Sequence, residues 1–154
     1  MINSQILRPD ITYYDEVKYL KERERLFEDL YKMTNWQDEY IYMFGKKIKC
    51  PRKVSWYGDT GVIYKYSGNT HKALGFYPIL AEIKDHTEKF LNKQFNFALL
   101  NYYHNQDDYM GWHSDNEKEL GINPVIASIS IGSSRVMKFK HKREKLNYNI
   151  KLQD

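Results

Sequence analysis

The stretch 95-FNFALLNYY-103 decides how the chain is read. Ahead of it, apolar residues recur at the spacing of one helix face. From it onward they alternate, which is the period of a strand. Residues i and i+2 of a strand share a face, so Asn101 and Tyr103 are expected to present polar groups side by side.

Downstream, the same period predicts strands over 109-YMGWH-113, 124-PVIASISIG-132, 135-RVMKFKH-141 and 146-LNYNIKL-152. Gly132-Ser133-Ser134 and 141-HKREK-145 read as their hairpin turns. Upstream, Pro78 suits a first helical position, and Ile79, Leu80, Ile83, Phe90 and Leu91 follow at helical spacing to about Asn92. Before that helix, 54-VSWYGD-59 and 62-VIYKYSG-68 read as short strands around an Asp-Thr-Gly turn. Pro51 marks a break, and 39-EYIYMFG-45 reads as a strand ending at Gly45. A capping pattern at Thr12 and Asp15 opens a first helix, carried by Val17, Leu20, Phe27, Leu30 and Tyr31 to about Met33. Two helices followed by antiparallel strands predict an α+β fold, with the helices packed on one side of a β-sandwich. Residues 1–154 read as a single domain without repeats or a linker.

With 154 residues, 42% hydrophobic and 29% charged, the chain has enough apolar material for one core and is not a disordered composition. No apolar run approaches a membrane span and the first residues do not begin a signal peptide, so a cytoplasmic protein is expected, or a nuclear one in a eukaryote. The single cysteine, Cys50, excludes an internal disulfide and a Cys-rich zinc site. Net charge is only +4, yet 46-KKIKCPRK-53 and 138-KFKHKREK-145 each concentrate five basic residues. Such clusters are either solvated loops or phosphate contacts. Two of them in a Tyr-rich chain point towards nucleic acid.

The tripeptide 113-HSD-115 has two readings of its own. One is a polar turn after Trp112. The other is two-thirds of the His, His, carboxylate set that holds iron(II) on one face and leaves positions open for a cosubstrate and oxygen.

The surroundings of that tripeptide carry a resemblance. Together, 101-NYY-103, 113-HSDNE-117, Pro124, 126-IASISIG-132, Arg135 and 139-FKHK-142 resemble the AlkB family of iron(II)/2-oxoglutarate dioxygenases, and within it the homologues that repair alkylated duplex DNA. Upstream, 51-PRKVSWYGDTGVIYKYSG-68 is similar to that family's nucleotide-recognition lid, and 12-TYYDEVKYLKERERLFEDLYKMTNW-36 to its first helix and following Trp. The resemblance implies a double-stranded β-helix, or jelly-roll. Residues 1–93 would supply N-terminal helices and lid, and residues 94–154 the first part of the β-helix core. It implies oxidative demethylation of 1-methyladenine and 3-methylcytosine in DNA, using Fe(II), 2-oxoglutarate and O2 and releasing formaldehyde and succinate. The intact enzyme would be a monomer.

Residue by residue, the resemblance implies that His113 and Asp115 bind iron, and that Asn101 and Tyr103 bind 2-oxoglutarate. Tyr64, Tyr66, Ser67 and Glu117 would surround a flipped base, with Arg52 contacting the DNA backbone or positioning the lid. Phe44, in 43-MFGKK-47, would fill the gap in the base stack, while Lys46, Lys47 and Lys53 hold phosphates. The family pattern continues with further strands, a second iron-binding His and an Arg for 2-oxoglutarate. None follows Asp154, so the chain is expected to be incomplete at its C-terminus. Two other functions stay open: a catalytically dead remnant that binds nucleic acid, and a related oxygenase acting on RNA or protein.

Overall fold

A computed structural model describes every residue except 1–3, 9, 16–22, 67–68, 117 and 154, with the backbone alone at 4–8, 23, 43, 64–66, 69–71 and 119. In chain order the elements are β1 (Ser4–Arg8), β2 (Ile11–Tyr14), α1 (Arg23–Met33), β3 (Gln37–Met43), β4 (Lys46–Gly58), β5 (Ile63–Tyr66), β6 (Asn69–Lys72), α2 (Pro78–Leu91), β7 (Phe97–Tyr102), a single 3-10 turn (Lys118–Leu120), β8 (Arg135–Lys140) and β9 (Asn147–Leu152). All strand pairings are antiparallel, apart from one parallel bridge between Tyr57 and Leu74. The chain forms two compact units, Met33–Ile126 and Met1–Lys32 with Ala127–Asp154.

The central unit is built on a three-stranded sheet in the order β3-β4-β7. β4 is long because it does two jobs. Its first half closes a hairpin with β3, and its second half also pairs with β7, from Lys53↔Tyr102 to Gly58↔Phe97. Pro51 does not break it. The β3–β4 register jumps from Tyr40↔Lys49 to Asp38↔Lys53, leaving Glu39 opposite a bulge of Cys50, Pro51 and Arg52. Pro cannot donate to a ladder, and a bulge lying beyond the end of β7 is where a strand tolerates it.

Val54, Ser55, Trp56 and Tyr57 follow the bulge, all buried, and form the core with Cys50 and Leu80. The α2 side of the unit is locked through Tyr77. Its ring meets Tyr57 edge-on at 5.1 Å, and its hydroxyl shares a 2.8 Å hydrogen bond with Thr34 Oγ1. Gly58 is obligatory for space, since a Cβ there would lie 2.9 Å from both Ala73 Cβ and the Asn96 carbonyl oxygen. The predicted turn after it forms, with the Val62 N–H donating to the Asp59 carbonyl. However, β5 pairs forward with β6 and not back with β4. Helix α2 begins at Pro78 as expected and ends with Asn92 in the left-handed region, where Asn is tolerated.

The other unit holds the β1–β2 and β8–β9 hairpins and most of α1. Here the Thr12 expectation fails. Thr12 is a strand residue paired with Ile6, and α1 is described only from Arg23. Ile-Thr-Tyr-Tyr is β-branched and aromatic, and a partner strand outweighs a local capping signal. The hairpin β8–β9 forms close to its predicted bounds, with the His141 N–H closing the turn onto the Leu146 carbonyl. Gly132, at φ +96, lies under the Phe27 ring, where a Cβ would come within 3.2 Å of Cδ2.

Two predicted strands are not strands. Residues 109–113 and 124–132 are extended or bent without ladder partners among the described residues. Alternation marks a segment that could pair, but a strand exists only with a neighbour to pair with. The architecture is therefore mixed α and β with antiparallel strands. No described helix is long and apolar enough to cross a membrane.

Candidate active site

Asn101 is the penultimate residue of β7, register partner of the fully buried Val54. Its side-chain Oδ1 is buried and has no hydrogen-bond partner among the described residues. A buried amide oxygen without a partner is costly, and such atoms mark a position waiting for a ligand or water. An amide can be turned end for end, so either a donor or an acceptor can be offered there. Tyr103 is half-buried just past the strand's end. The chain then turns sharply. The His104 N–H and Nδ1 both meet Asp108 Oδ2, at 2.8 and 2.7 Å. The Tyr109 N–H then donates to the Pro51 carbonyl at 3.1 Å, tying the returning segment to the bulge.

That segment delivers His113 and Asp115. They are not on a strand, yet they converge, with His113 Nε2 3.3 Å from Asp115 Oδ1. The other ring nitrogen, Nδ1, lies 2.9 Å from the Gly111 carbonyl oxygen. A carbonyl can only accept, so Nδ1 donates to it, which fixes the ring and leaves Nε2 on the side that faces Asp115. This is the arrangement that prepares a histidine to ligate a metal. Both side chains are partly open to solvent, so the pair is reachable from outside.

Comparison with known proteins decides the affiliation. Residues 10–154 match the 2OG-Fe(II) oxygenase superfamily. The chain belongs to that superfamily. Within it the chain is AlkB-like. It is 36% identical over 124 residues to DNA oxidative demethylase ALKBH2 of Bos taurus, which covers 79% of this chain and 45% of that protein. It is 36% identical over 124 residues to the ALKBH2 of Homo sapiens, covering 79% of this chain and 48% of that protein. Similarity to alkB homolog 3 of Bos taurus, an alpha-ketoglutarate-dependent dioxygenase, is 32% over 126 residues, covering 80% of this chain and 43% of that protein. The chain spans about half the length of these relatives.

The superfamily implies Fe(II) and 2-oxoglutarate, and this chain has residues of the kinds that could hold each. Two cis ligands, each about 2.1 Å from a divalent first-row ion, stand about 3 Å apart. The observed 3.3 Å between Nε2 and Oδ1 meets that requirement. Among the described residues no third His, Cys, Asp or Glu joins them in a metal-binding group. Turned end for end, the Asn101 amide would offer an N–H donor at that buried position, which is what a carboxylate or keto oxygen of 2-oxoglutarate would accept.

The remaining expected residues separate. Phe44 stands at the β3–β4 tip, 93% exposed, followed by the exposed Lys46 and Lys47. Lys53 is half-buried. Arg52 is turned inward, 5% exposed, and its guanidinium donates to Glu39, itself 5% exposed. Of the two roles expected of Arg52, contact with the DNA backbone does not fit a side chain held in this internal ion pair, and positioning the lid is the one its burial allows. The bulge rotates Arg52 off the solvent face, and the buried carboxylate requires a cation. Tyr64 and Tyr66 lie on the β5 backbone, opposite His71 and Asn69. Ser67 and Glu117 fall outside the described residues.

Two features were missed. Glu39 shares a strand face with Ile41, and a carboxylate on an apolar face signals a hidden partner. The Gly111 carbonyl that orients His113 has no such signature, because a backbone acceptor leaves no mark in residue type.

Proposed function

We propose that this chain carries metal-binding and DNA-contacting parts of a DNA oxidative demethylase acting on N-alkylated bases, 1-methyladenine and 3-methylcytosine among them. The observation that carries the reading is the convergence of His113 and Asp115, with the His113 ring held by the Gly111 carbonyl. It is supported by relatives that are themselves DNA oxidative demethylases.

In this reading the strands belong to a double-stranded β-helix. His113 and Asp115 hold Fe(II), and Asn101 and Tyr103 hydrogen-bond 2-oxoglutarate. Bound together, the two cofactors supply oxygen-dependent oxidation of an N-methyl group, with formaldehyde and succinate as products. The protein's own work is to present the base. Tyr64, Tyr66, Ser67 and Glu117 surround it once it leaves the stack, which recovers part of the lost stacking energy. Phe44 occupies the gap it leaves, and Lys46, Lys47 and Lys53 neutralise phosphates.

The test is formaldehyde release from oligonucleotides carrying either lesion, single- and double-stranded, with Fe(II) and 2-oxoglutarate, by a protein that joins this chain to a second iron-binding His and a 2-oxoglutarate-binding Arg. Release is expected, and His113→Ala should reduce it by at least about a hundredfold, since even outer-shell partners of a metal cost up to that much. No release from any of the substrates overturns the proposal. DNA binding that persists in chelator, is unaffected by His113→Ala and comes without formaldehyde identifies a binding module in its place.

A further inference from the structure

The β3–β4 hairpin beyond the bulge carries three aromatic side chains, and only Phe44 is used by the reading above. Tyr40 and Tyr42, two residues apart on β3, share one face. Their register partners are Lys49 and Lys47, so cations alternate with rings on that face. Lys47 Nζ sits over the Tyr40 ring, 4.4 Å from its centroid, which confirms the shared face. Tyr40 is thus capped by a cation and 38% exposed, whereas Tyr42 is 73% exposed. Together with Phe44, 93% exposed, Tyr42 leaves two large rings open beside these lysines.

The charge of the segment says what would cover it. Residues 40-YIYMFGKKIK-49 contain Lys46, Lys47 and Lys49 and no acidic residue. The nearby carboxylates, Asp38 and Glu39, are engaged within the chain by Lys49 and Arg52. An open aromatic face beside cations, with no carboxylate to repel phosphate, suits a strand whose bases are free to stack. A paired base offers no face to such a ring.

We infer that Tyr42, flanked by Lys47, is a stacking site for an unpaired base of single-stranded DNA, separate from the tip residue Phe44. The site lets the β3–β4 hairpin grip a strand that is already open, so an unpaired substrate is held without insertion into a duplex. The inference rests on the DNA-facing reading of this hairpin but not on demethylation. Its test therefore uses an unmodified single strand without iron or 2-oxoglutarate.

The experiment is fluorescence anisotropy of a labelled oligothymidylate at low salt, with wild type, Tyr42→Ala, Tyr42→Phe and Phe44→Ala. Tyr42→Ala should weaken binding by about tenfold, the effect of removing one base-stacking ring. Tyr42→Phe should bind like wild type, because the ring and not the hydroxyl does the stacking. Phe44→Ala should weaken single-strand binding less than Tyr42→Ala does. Far-UV circular dichroism of the variants should match wild type, since Tyr42 is mostly exposed. Wild-type affinity in Tyr42→Ala overturns the inference. So does an oligoglutamate peptide that displaces the strand at equal concentration, because the face would then recognise acidic protein. If single-strand binding depends on Tyr42 while no lesion releases formaldehyde, the stacking site stands and the proposed reaction falls.

Discussion

The same two strands, β3 and β4, are different objects on either side of one bulge. On the inner side Val54, Ser55, Trp56 and Tyr57 are buried and β7 completes the sheet. On the outer side β4 loses β7, and Tyr42, Phe44, Lys46 and Lys47 stand in solvent. Backbone pairing is continuous in kind, so the ladder does not account for the difference. What changes is whether a third strand and a core lie against it. The inner half is held by burial, and the outer half is free to display side chains that meet another molecule.

The largest expected effect comes from the hinge between the halves. Glu39 and Arg52 face each other across the bulge, both about nine-tenths or more buried. Removing one member of such a pair leaves the other charge buried and alone, at about 3–5 kcal/mol. Glu39→Ala should therefore lower the urea midpoint sharply or leave the protein unfolded. The double variant Glu39→Leu with Arg52→Met should regain much of that loss, because it removes both charges and keeps the volume. A Glu39→Ala protein as stable as wild type would mean that the pair does not hold the halves together.

A smaller effect, of opposite sign, is expected at the tip. Phe44 and Gly45 have φ of 52° and 72°, the signature of the type I′ turn that suits a two-residue hairpin. Gly adopts that region freely and Asn nearly so, but an aromatic residue does not. Keeping Phe there costs about 1 kcal/mol or somewhat more. Phe44→Asn should raise the urea midpoint, while lowering demethylation of a duplex more than of a single strand. A stabilised variant with undiminished duplex activity would remove Phe44 from the substrate's path.

These residues also show what could be read in advance. The turn at Phe44 and Gly45 was legible as the end of a strand because it is made by adjacent residues, whereas the return strand from Lys46 was read as a basic loop. The α2 helix and the β8–β9 hairpin were legible for the same reason, their periods and turns being local. His113 and Asp115 were singled out by type and context, but their convergence comes through a bend and a backbone carbonyl, not through strand geometry. The burial of Arg52 was not legible because it depends on a register jump and on Glu39, thirteen positions away. The segments 109–113 and 124–132 alternate like strands, but pairing is non-local and alternation does not name a partner.

The smallest expected effect sits one residue from the largest. Asp38 precedes Glu39, lies on the opposite face and pairs with Lys49 at 2.8 Å in the open. The hydrogen bond from Lys49 holds the Asp38 carboxyl below its ordinary 3.8, and the same bond holds the Lys49 ammonium above its ordinary 10.5. The two signs define a window. A depressed carboxylate contributes stability above its ordinary value and loses it as the pH falls through the lowered one. A raised ammonium contributes below its ordinary value and loses it as the pH rises through the raised one. Asp38→Asn should therefore lower the urea midpoint slightly at neutral pH, and not at all in acid where Asp38 is protonated. The difference should vanish in about 1 M salt, which screens an exposed pair but not a buried one. Glu39→Ala should keep its full cost in the same salt. If instead both variants respond alike to salt, the bulge does not divide a dry half of the hairpin from a wet one.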